Sequence, residues 1–305
     1  KHSVPGPLPP PRHSRAPLYL ELYALMGRAL RNVLRNPLLA AMHVALTVAV
    51  ALVVGSLFRD VNQYNGETAG IQNRLGVLFF LLLYLSLLGL TSLPAWQTDL
   101  WLFRHEKAAK AYGTGPYLAS ILTADILACR IVPPVILASI VHPAVGLHPG
   151  RLVGLILSLA AFNLALGSVL ALCGVIGGSS AGGGGGQKAN ALGCLVVLFS
   201  TLLSGFLVAR GDLPGLWKAL ARISPMGNAF DALIYNEFSG YGPIFRLSTK
   251  ISNHIAYSDP LTGDNIMGCF GLGKDNGGVA GAIGVLLLLS VASLTATYVL
   301  LKLMR

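Results

Sequence analysis

Six apolar stretches, each close to the length a helix needs to cross about 30 Å of hydrocarbon, dominate the 305-residue sequence. They run over 38–58, 75–96, 126–147, 152–176, 191–209 and 279–303. Inside a bilayer every backbone amide and carbonyl must be satisfied by the chain itself, so runs of this length read as helices. The third is the least regular. Its apolar heart, Ile131 to Leu147, carries Pro133 and Pro134 and gains length from the preceding Tyr117 to Arg130. Composition points the same way: 54% of residues are hydrophobic, 11% are charged and the mean hydropathy is +0.66, whereas a soluble domain is about a quarter charged. The expected fold is an all-α integral membrane protein of six transmembrane helices. An amphipathic N-terminal interfacial helix precedes them, and a long outer loop, 210–278, comes before the last helix.

The net charge of +10 lacks the dense basic runs with interleaved aromatics of nucleic-acid binders, so no nucleic-acid partner is expected. It follows instead from the excess of Lys and Arg on cytosolic segments. With the N-terminus inside, those segments hold Lys1, Arg12, Arg15, Arg28, Arg31, Arg35, Arg104, Lys107, Lys110, Lys188, Lys302 and Arg305, and the short outer loops hold only Arg59, Arg74 and Arg151. Both termini are therefore expected in the cytosol of a multi-pass protein, at the plasma membrane or an internal one.

Residues 1–17 form a proline-rich linker with no apolar core of the kind a signal peptide needs, and the chain is read as the C-terminal part of a longer polypeptide. In Leu18 to Arg35, apolar residues recur near the 3.6 period, with Arg28, Arg31 and Arg35 on the other side. That pattern fits a helix lying in the inner membrane interface, its leucines in the acyl boundary and its arginines on anionic headgroups; an ordinary amphipathic packing helix is the other reading. Between the second and third spans, 99–113 is expected to form a short cytosolic coupling helix, supported by the Glu106/Lys110 pair at i,i+4 and ending at Gly113. A solvated loop is the other reading.

The stretch GGSSAGGGGGQKAN, Gly177 to Asn190, resembles a phosphate loop only superficially. Counting from Gly182, Gln187 stands at the second fixed glycine and Ala189 at the hydroxyl position, and apolar spans flank it where a strand and a helix should. It is read as a flexible cytosolic link whose glycines hold no regular structure. Gly271 to Asp275 (GLGKD) misses the GxGD spacing of an intramembrane aspartyl protease, and the sequence has no GxSxG, HExxH or CxxC. Cys129, Cys173, Cys194 and Cys269 lack metal-ligand spacing, and lone histidines such as His43 and His142 among apolar residues read as packing. No catalytic residue, metal or cofactor is expected in this chain.

Several motifs occur in an order that resembles the membrane domain of the G subfamily of ATP-binding cassette transporters, the White and multidrug-efflux half-transporters. They are Arg35 to Leu39 (RNPLL), Gly70 to Phe80 (GIQNRLGVLFF), Leu102 to Tyr117, Ala124 to Leu147 with its Asp, Arg and paired prolines, Ser204 to Val208 (SGFLV), and Ile223 to Gly240 (ISPMGNAFDALIYNEFSG). The resemblance implies one six-helix membrane domain, 18–305, of an exporter of hydrophobic or amphipathic compounds such as a lipid, sterol or xenobiotic. It implies two partners: a second half-transporter in a homo- or heterodimer, and a nucleotide-binding domain, outside these residues, that carries ATP and Mg.

Residue by residue, the resemblance places a substrate cavity at Tyr84, Leu87, Val197, Leu198 and Thr201 and an apolar plug at Phe206 and Leu207. Leu87 stands where a multidrug exporter has a stacking phenylalanine, so aromatic drug specificity does not carry over. Asp99 and Glu106 fall at acidic positions of the coupling region, or on a solvated helix face. Arg130 matches an inner-membrane basic position, for which snorkelling to headgroups or pairing with Asp125 is the bland account. Cys269 has no second loop cysteine, so it is left only a bridge between subunits. A non-transporting scaffold or receptor-like relic of the same fold is the alternative function; a channel would need a ring of charges or carbonyls that these spans do not supply.

Overall fold

In the computed structural model of the chain, the described residues are 17–35, 37–59, 61, 68–109, 112–178, 185–208, 213–240, 248–251, 254–257, 262–270, 272 and 277–303. The proline-rich linker up to residue 16, Lys110, Lys274 and residues 179–184 of the glycine loop lie outside them.

Helix α1 (Leu18–Arg35) leads into α2 (Pro37–Leu57), and α3 (Thr68–Leu90) is followed by α4 (Leu93–Ala108) and α5 (Thr114–Asp125). A π-helical turn, Ile126–Ile131, joins α5 to α6 (Val132–Val145); α7 (Leu152–Gly177), α8 (Gly185–Leu202), α9 (Gly215–Ile223) and α10 (Pro225–Phe238) follow. Strands β1 (Ser248–Ile251) and β2 (His254–Tyr257) pair antiparallel, with Ser248 opposite Tyr257, before α11 (Gly263–Cys269) and α12 (Gly278–Leu303) close the chain.

Among the described residues three helices are long and apolar enough to cross a membrane, 69–90, 152–177 and 278–303, and two shorter apolar helices cover 41–57 and 129–145. The protein is thus a helical domain with an integral-membrane pattern. The first, fourth and sixth expected stretches coincide with α2, α7 and α12 to within a residue or two.

The other boundaries need correction. The second stretch was expected over 75–96, but α3 begins at Thr68, because Arg74 is not a loop charge; its side chain is fully buried against Glu237 of α10. The helix stops at Leu90, where the Thr91 and Ser92 hydroxyls donate back to the Leu88 and Gly89 carbonyls (2.6 and 2.7 Å). Pro94, at home in a first turn, then opens α4. The helix expected over 99–113 is therefore 93–108, and Gly113 is the extended N-cap of α5 instead of a C-terminal stop. The third stretch extends back to Thr114, with α5, the π turn and α6 following one another without a gap. The fifth is α8, 185–202 instead of 191–209, so the last two glycines of the run are helical.

The 210–278 segment is not merely a loop: it holds α9, α10, a two-stranded hairpin and α11 within an otherwise helical domain. Ser224 caps α10 by accepting from the Gly227 amide (3.3 Å), Pro225 occupies the first turn, and α10 is buried along its whole length. Its inward residues, Met226, Phe230 and Leu233 among them, fill the large core with Leu78, Leu81, Leu85 of α3 and Phe162, Leu166 of α7. Helix α12 packs on α7 and α10 yet leaves Leu287, Leu288, Val291 and Val299 exposed, as a lipid-facing helix should. At Gly177 a β-carbon would lie 2.4 Å from the Ala189 amide nitrogen, so glycine there permits the close approach of α7 and α8.

Candidate coupling and transport site

A second, smaller core gathers Leu25 of α1, Leu100 and Phe103 of α4, Tyr112, Tyr117 and Leu118, Val175 of α7 and Leu301 of α12. Phe103 stacks on Tyr117 with centroids 4.0 Å apart, and Tyr112 lies 6.0 Å from Tyr117. Glu106 sits at its edge. Its carboxylate accepts from both Arg28 (2.9 and 3.2 Å) and the Tyr112 hydroxyl. Burial pushes the Glu106 carboxyl up, but Tyr112 and Arg28 outweigh it and leave the group below its ordinary range. Burial, and then Glu106 itself, push Tyr112 well up.

Arg28 was expected at lipid headgroups. The structure instead turns it onto Glu106, because α1 packs against α5 through Leu25, and this favours the packing-helix reading for that side of α1. Leu18, Tyr19 and Tyr23 remain exposed. Glu21 of α1 accepts from the Gly113 amide at the start of α5 (3.2 Å). Asp99, two turns before Glu106 on the same face, is half-buried, and desolvation raises its carboxyl against the opposing pull of Arg28; its backbone carbonyl accepts from Tyr117 (2.9 Å). Lys107 donates to the Leu301 and Lys302 carbonyls (2.7 and 3.2 Å) at the end of α12, where a cation also meets the negative end of the helix dipole.

Arg130 lies between the two cores, with its side chain 6% exposed. Nε donates to Asp125 Oδ2 (2.8 Å), one terminal nitrogen to Ser92 Oγ (3.1 Å) and the other to Asn163 Oδ1 of α7 (3.5 Å). Of the alternatives for Arg130, snorkelling is excluded and pairing with Asp125 holds. Glycine at 167 makes room: a β-carbon there would lie 2.5 Å from the guanidinium carbon.

The resemblance-based cavity residues divide. Leu87 and Leu198 are exposed, as is Leu207 of the plug. Tyr84 and Val197 are buried in the chain's own core, and the Tyr84 hydroxyl bonds to Thr47 of α2 (2.8 Å). Thr201 is half-buried and donates to the Val197 carbonyl (2.8 Å) and toward Met226 sulfur (3.3 Å). Phe206 stacks on Phe79 (4.4 Å) with Phe230 edge-on (5.7 Å). So the structure exposes Leu87, Leu198 and Leu207 and turns Tyr84, Val197 and Phe206 inward. All four cysteines are free thiols, with Cys194 and Cys269 exposed.

Sequence reasoning did not find the buried Arg74–Glu237 pair, the Phe103/Tyr112/Tyr117 stack or Asn163. A charge inside an otherwise apolar run, as Arg74 is at the head of α3, was the available signal for the first.

These features define a helical membrane domain whose described polar side chains brace helix ends and breaks. Residues 20–238 match the ABC-2 type transporter family, and the chain belongs to that family. It is 33% identical over 224 residues to ABC transporter G family member 24 of Dictyostelium discoideum, covering 73% of this chain and 19% of that protein. It is 28% identical over 238 residues to a probable ATP-dependent permease of Saccharomyces cerevisiae (76% and 21%). It is also 28% identical over 240 residues to the bovine (Bos taurus) broad substrate specificity ATP-binding cassette transporter ABCG2 (78% and 35%). The resemblance to the G subfamily is thus borne out, and the chain spans well under half the length of these relatives.

Proposed function

We propose that the chain is the membrane half of an ATP-driven exporter that carries hydrophobic or amphipathic compounds across a membrane as a dimer. Six crossings with both termini in the cytosol fit the helices: α2, α3, α5–α6, α7, α8 and α12 supply them, and α1, α4 and the start of α5 form a cytosolic layer. The observation that carries this reading is the Glu106 cluster, which ties α4 to α1 through Arg28 and to the start of α5 through Tyr112. A push on α4 from a nucleotide-binding domain, which would hold the ATP and Mg, is delivered to the membrane helices through these contacts. This is the packed-helix switch by which exporters change access. Exposed Leu87, Leu198 and Leu207 offer an aliphatic surface, suited to lipid-like cargo more than to flat aromatics.

The test is reconstitution of the full-length protein in lipid vesicles. Vanadate-sensitive ATP hydrolysis that rises with an added lipid or sterol cargo is the expected result. Hydrolysis absent from the dimer and from every tested pairing with a second half-transporter would sink the proposal.

A further inference from the structure

Two consecutive prolines stand where the π turn meets α6, and a proline ring offers no amide to the carbonyl four residues before it. For Pro133 and Pro134 those carbonyls belong to Cys129 and Arg130. Both are taken by one side chain from another helix: Asn163 Nδ2 donates to the Cys129 carbonyl (3.0 Å) and to the Arg130 carbonyl (3.2 Å). The same amide turns its oxygen toward the Arg130 guanidinium (3.5 Å). Asn163 is 2% exposed and stands in the most apolar helix of the chain, between Phe162 and Leu164. A buried carboxamide is costly unless its hydrogen bonds are made. Here it makes the two that the prolines forfeit.

The π turn is also the boundary between the two apolar cores. Tyr117 and Leu118, before it, belong to the aromatic core with α1 and α4; Leu137, Ala138 and Val141, after it, belong to the aliphatic core. A π turn has one residue too many for the α ladder and weaker local support, so it is a place where a helix bends. Around it Arg130 reaches Asp125 on the near side and Ser92 at the α3–α4 break. Two helix breaks, 91–92 and 126–131, are thereby tied to each other and to α7 at one level.

We propose that Asn163 is a positioning residue for the transport stroke. It holds the proline-freed backbone and Arg130 so that the π turn is a defined pivot, about which α5 and the aromatic core swing against α6 and the aliphatic core. This rests on the transporter reading above. The prolines create the pivot by deleting two ladder bonds, and Asn163 keeps it from becoming a loose joint.

The test uses the full-length protein with its ATPase domains in nanodiscs, with spin labels on Ala119→Cys and Ser139→Cys, at exposed positions of α5 and α6, in a background lacking native cysteines. Distances are read before and after trapping with ATP and vanadate, beside the melting temperature. In the wild type, trapping is expected to shift the distance distribution. Asn163→Leu, similar in size but without the amide, is expected to lower the melting temperature and broaden the distribution in both states while hydrolysis continues. The decisive variant adds Pro133→Ala and Pro134→Ala to Asn163→Leu, which returns ladder amides to both carbonyls. Its melting temperature is expected to recover, while the trapping shift is lost because the pivot has become ordinary helix. A triple variant that regains the shift as well, or an Asn163→Leu protein that keeps the wild-type shift, shows that Asn163 only stabilises. Hydrolysis in the wild type without any shift overturns the pivot alone. A wild type that hydrolyses no ATP, alone or in any tested pairing with a second half-transporter, overturns the transporter reading, and the pivot with it.

Discussion

The aliphatic and aromatic cores are held together by different means. The first is filled by Leu, Val, Ala and Phe from α2, α3, α6, α7 and α10 and tolerates one fully buried ion pair, Arg74 with Glu237, to which the His148 amide also donates (3.1 and 3.2 Å). The second is small and built on Phe103, Tyr112 and Tyr117, and its polar links, Arg28–Glu106, Glu21–Gly113 and Lys107–Leu301, lie at its partly exposed rim. Charges out of water cost several kcal/mol unless their geometry is complete; exposed pairs are worth about 0–1 kcal/mol. The difference teaches which region is built to stay and which to shift. The aliphatic core locks, because breaking any buried partner leaves an uncompensated charge. The aromatic core has contacts weak enough to be remade.

The sharpest way to break this contrast is Arg74→Met. It leaves the Glu237 carboxyl buried without its cation, and a loss of about 3–5 kcal/mol is expected, read as a collapse of the melting temperature in detergent. Arg74→Met with Glu237→Met should recover most of it; a single variant as stable as wild type would show that the pair is dispensable. Next is Gly167→Ala, which drives a methyl into the Arg130 guanidinium. Overpacking of this kind costs about 1–3 kcal/mol, and Gly115→Ala, at a glycine with open space around its β position, is the control that should melt like wild type.

The aromatic core should respond least to truncation and most to pH. Glu106 is held below its ordinary range, so its contribution is present at neutral pH and is lost as pH falls through that lowered value. Asp99 is raised by burial, so its ionised form works against the fold at neutral pH, and that penalty is relieved on acidification. Glu106→Gln is expected to destabilise by under about 1 kcal/mol, and Asp99→Asn to stabilise slightly. Both differences should vanish in acid when melting temperatures are followed against pH. Shifts of the same sign for the two would contradict the placement of these carboxyls.

The membrane-crossing pattern was legible because length and apolarity are local properties: α2, α7 and α12 were found nearly to the residue. Where boundaries failed, a distant partner had decided them. Arg74 reads as a loop charge until Glu237, 163 positions away, is brought against it. Gly113 reads as a helix stop until Glu21 supplies the acceptor for its amide and makes it a start. Helix α10 lies within the motif Ile223 to Gly240, but its burial depends on α3, α7 and α12 closing around it. Glu106 was named by resemblance, while Arg28 was misassigned to headgroups because one amphipathic face cannot tell a lipid from a carboxylate. Asn163 gave no signal of its own; only the spacing of Pro133 and Pro134 from the carbonyls of residues 129 and 130 explains it, and that spacing lies on another helix.

The central claim is that the aromatic core moves against a fixed aliphatic one, and hydrogen exchange of the full-length dimer with and without ATP and vanadate tests it most directly. The account predicts that protection changes in 91–131, covering α4, α5 and the π turn, while the amides of α7 and α10 exchange equally slowly in both states. Changes spread evenly through α7 and α10, or confined to them, would contradict it.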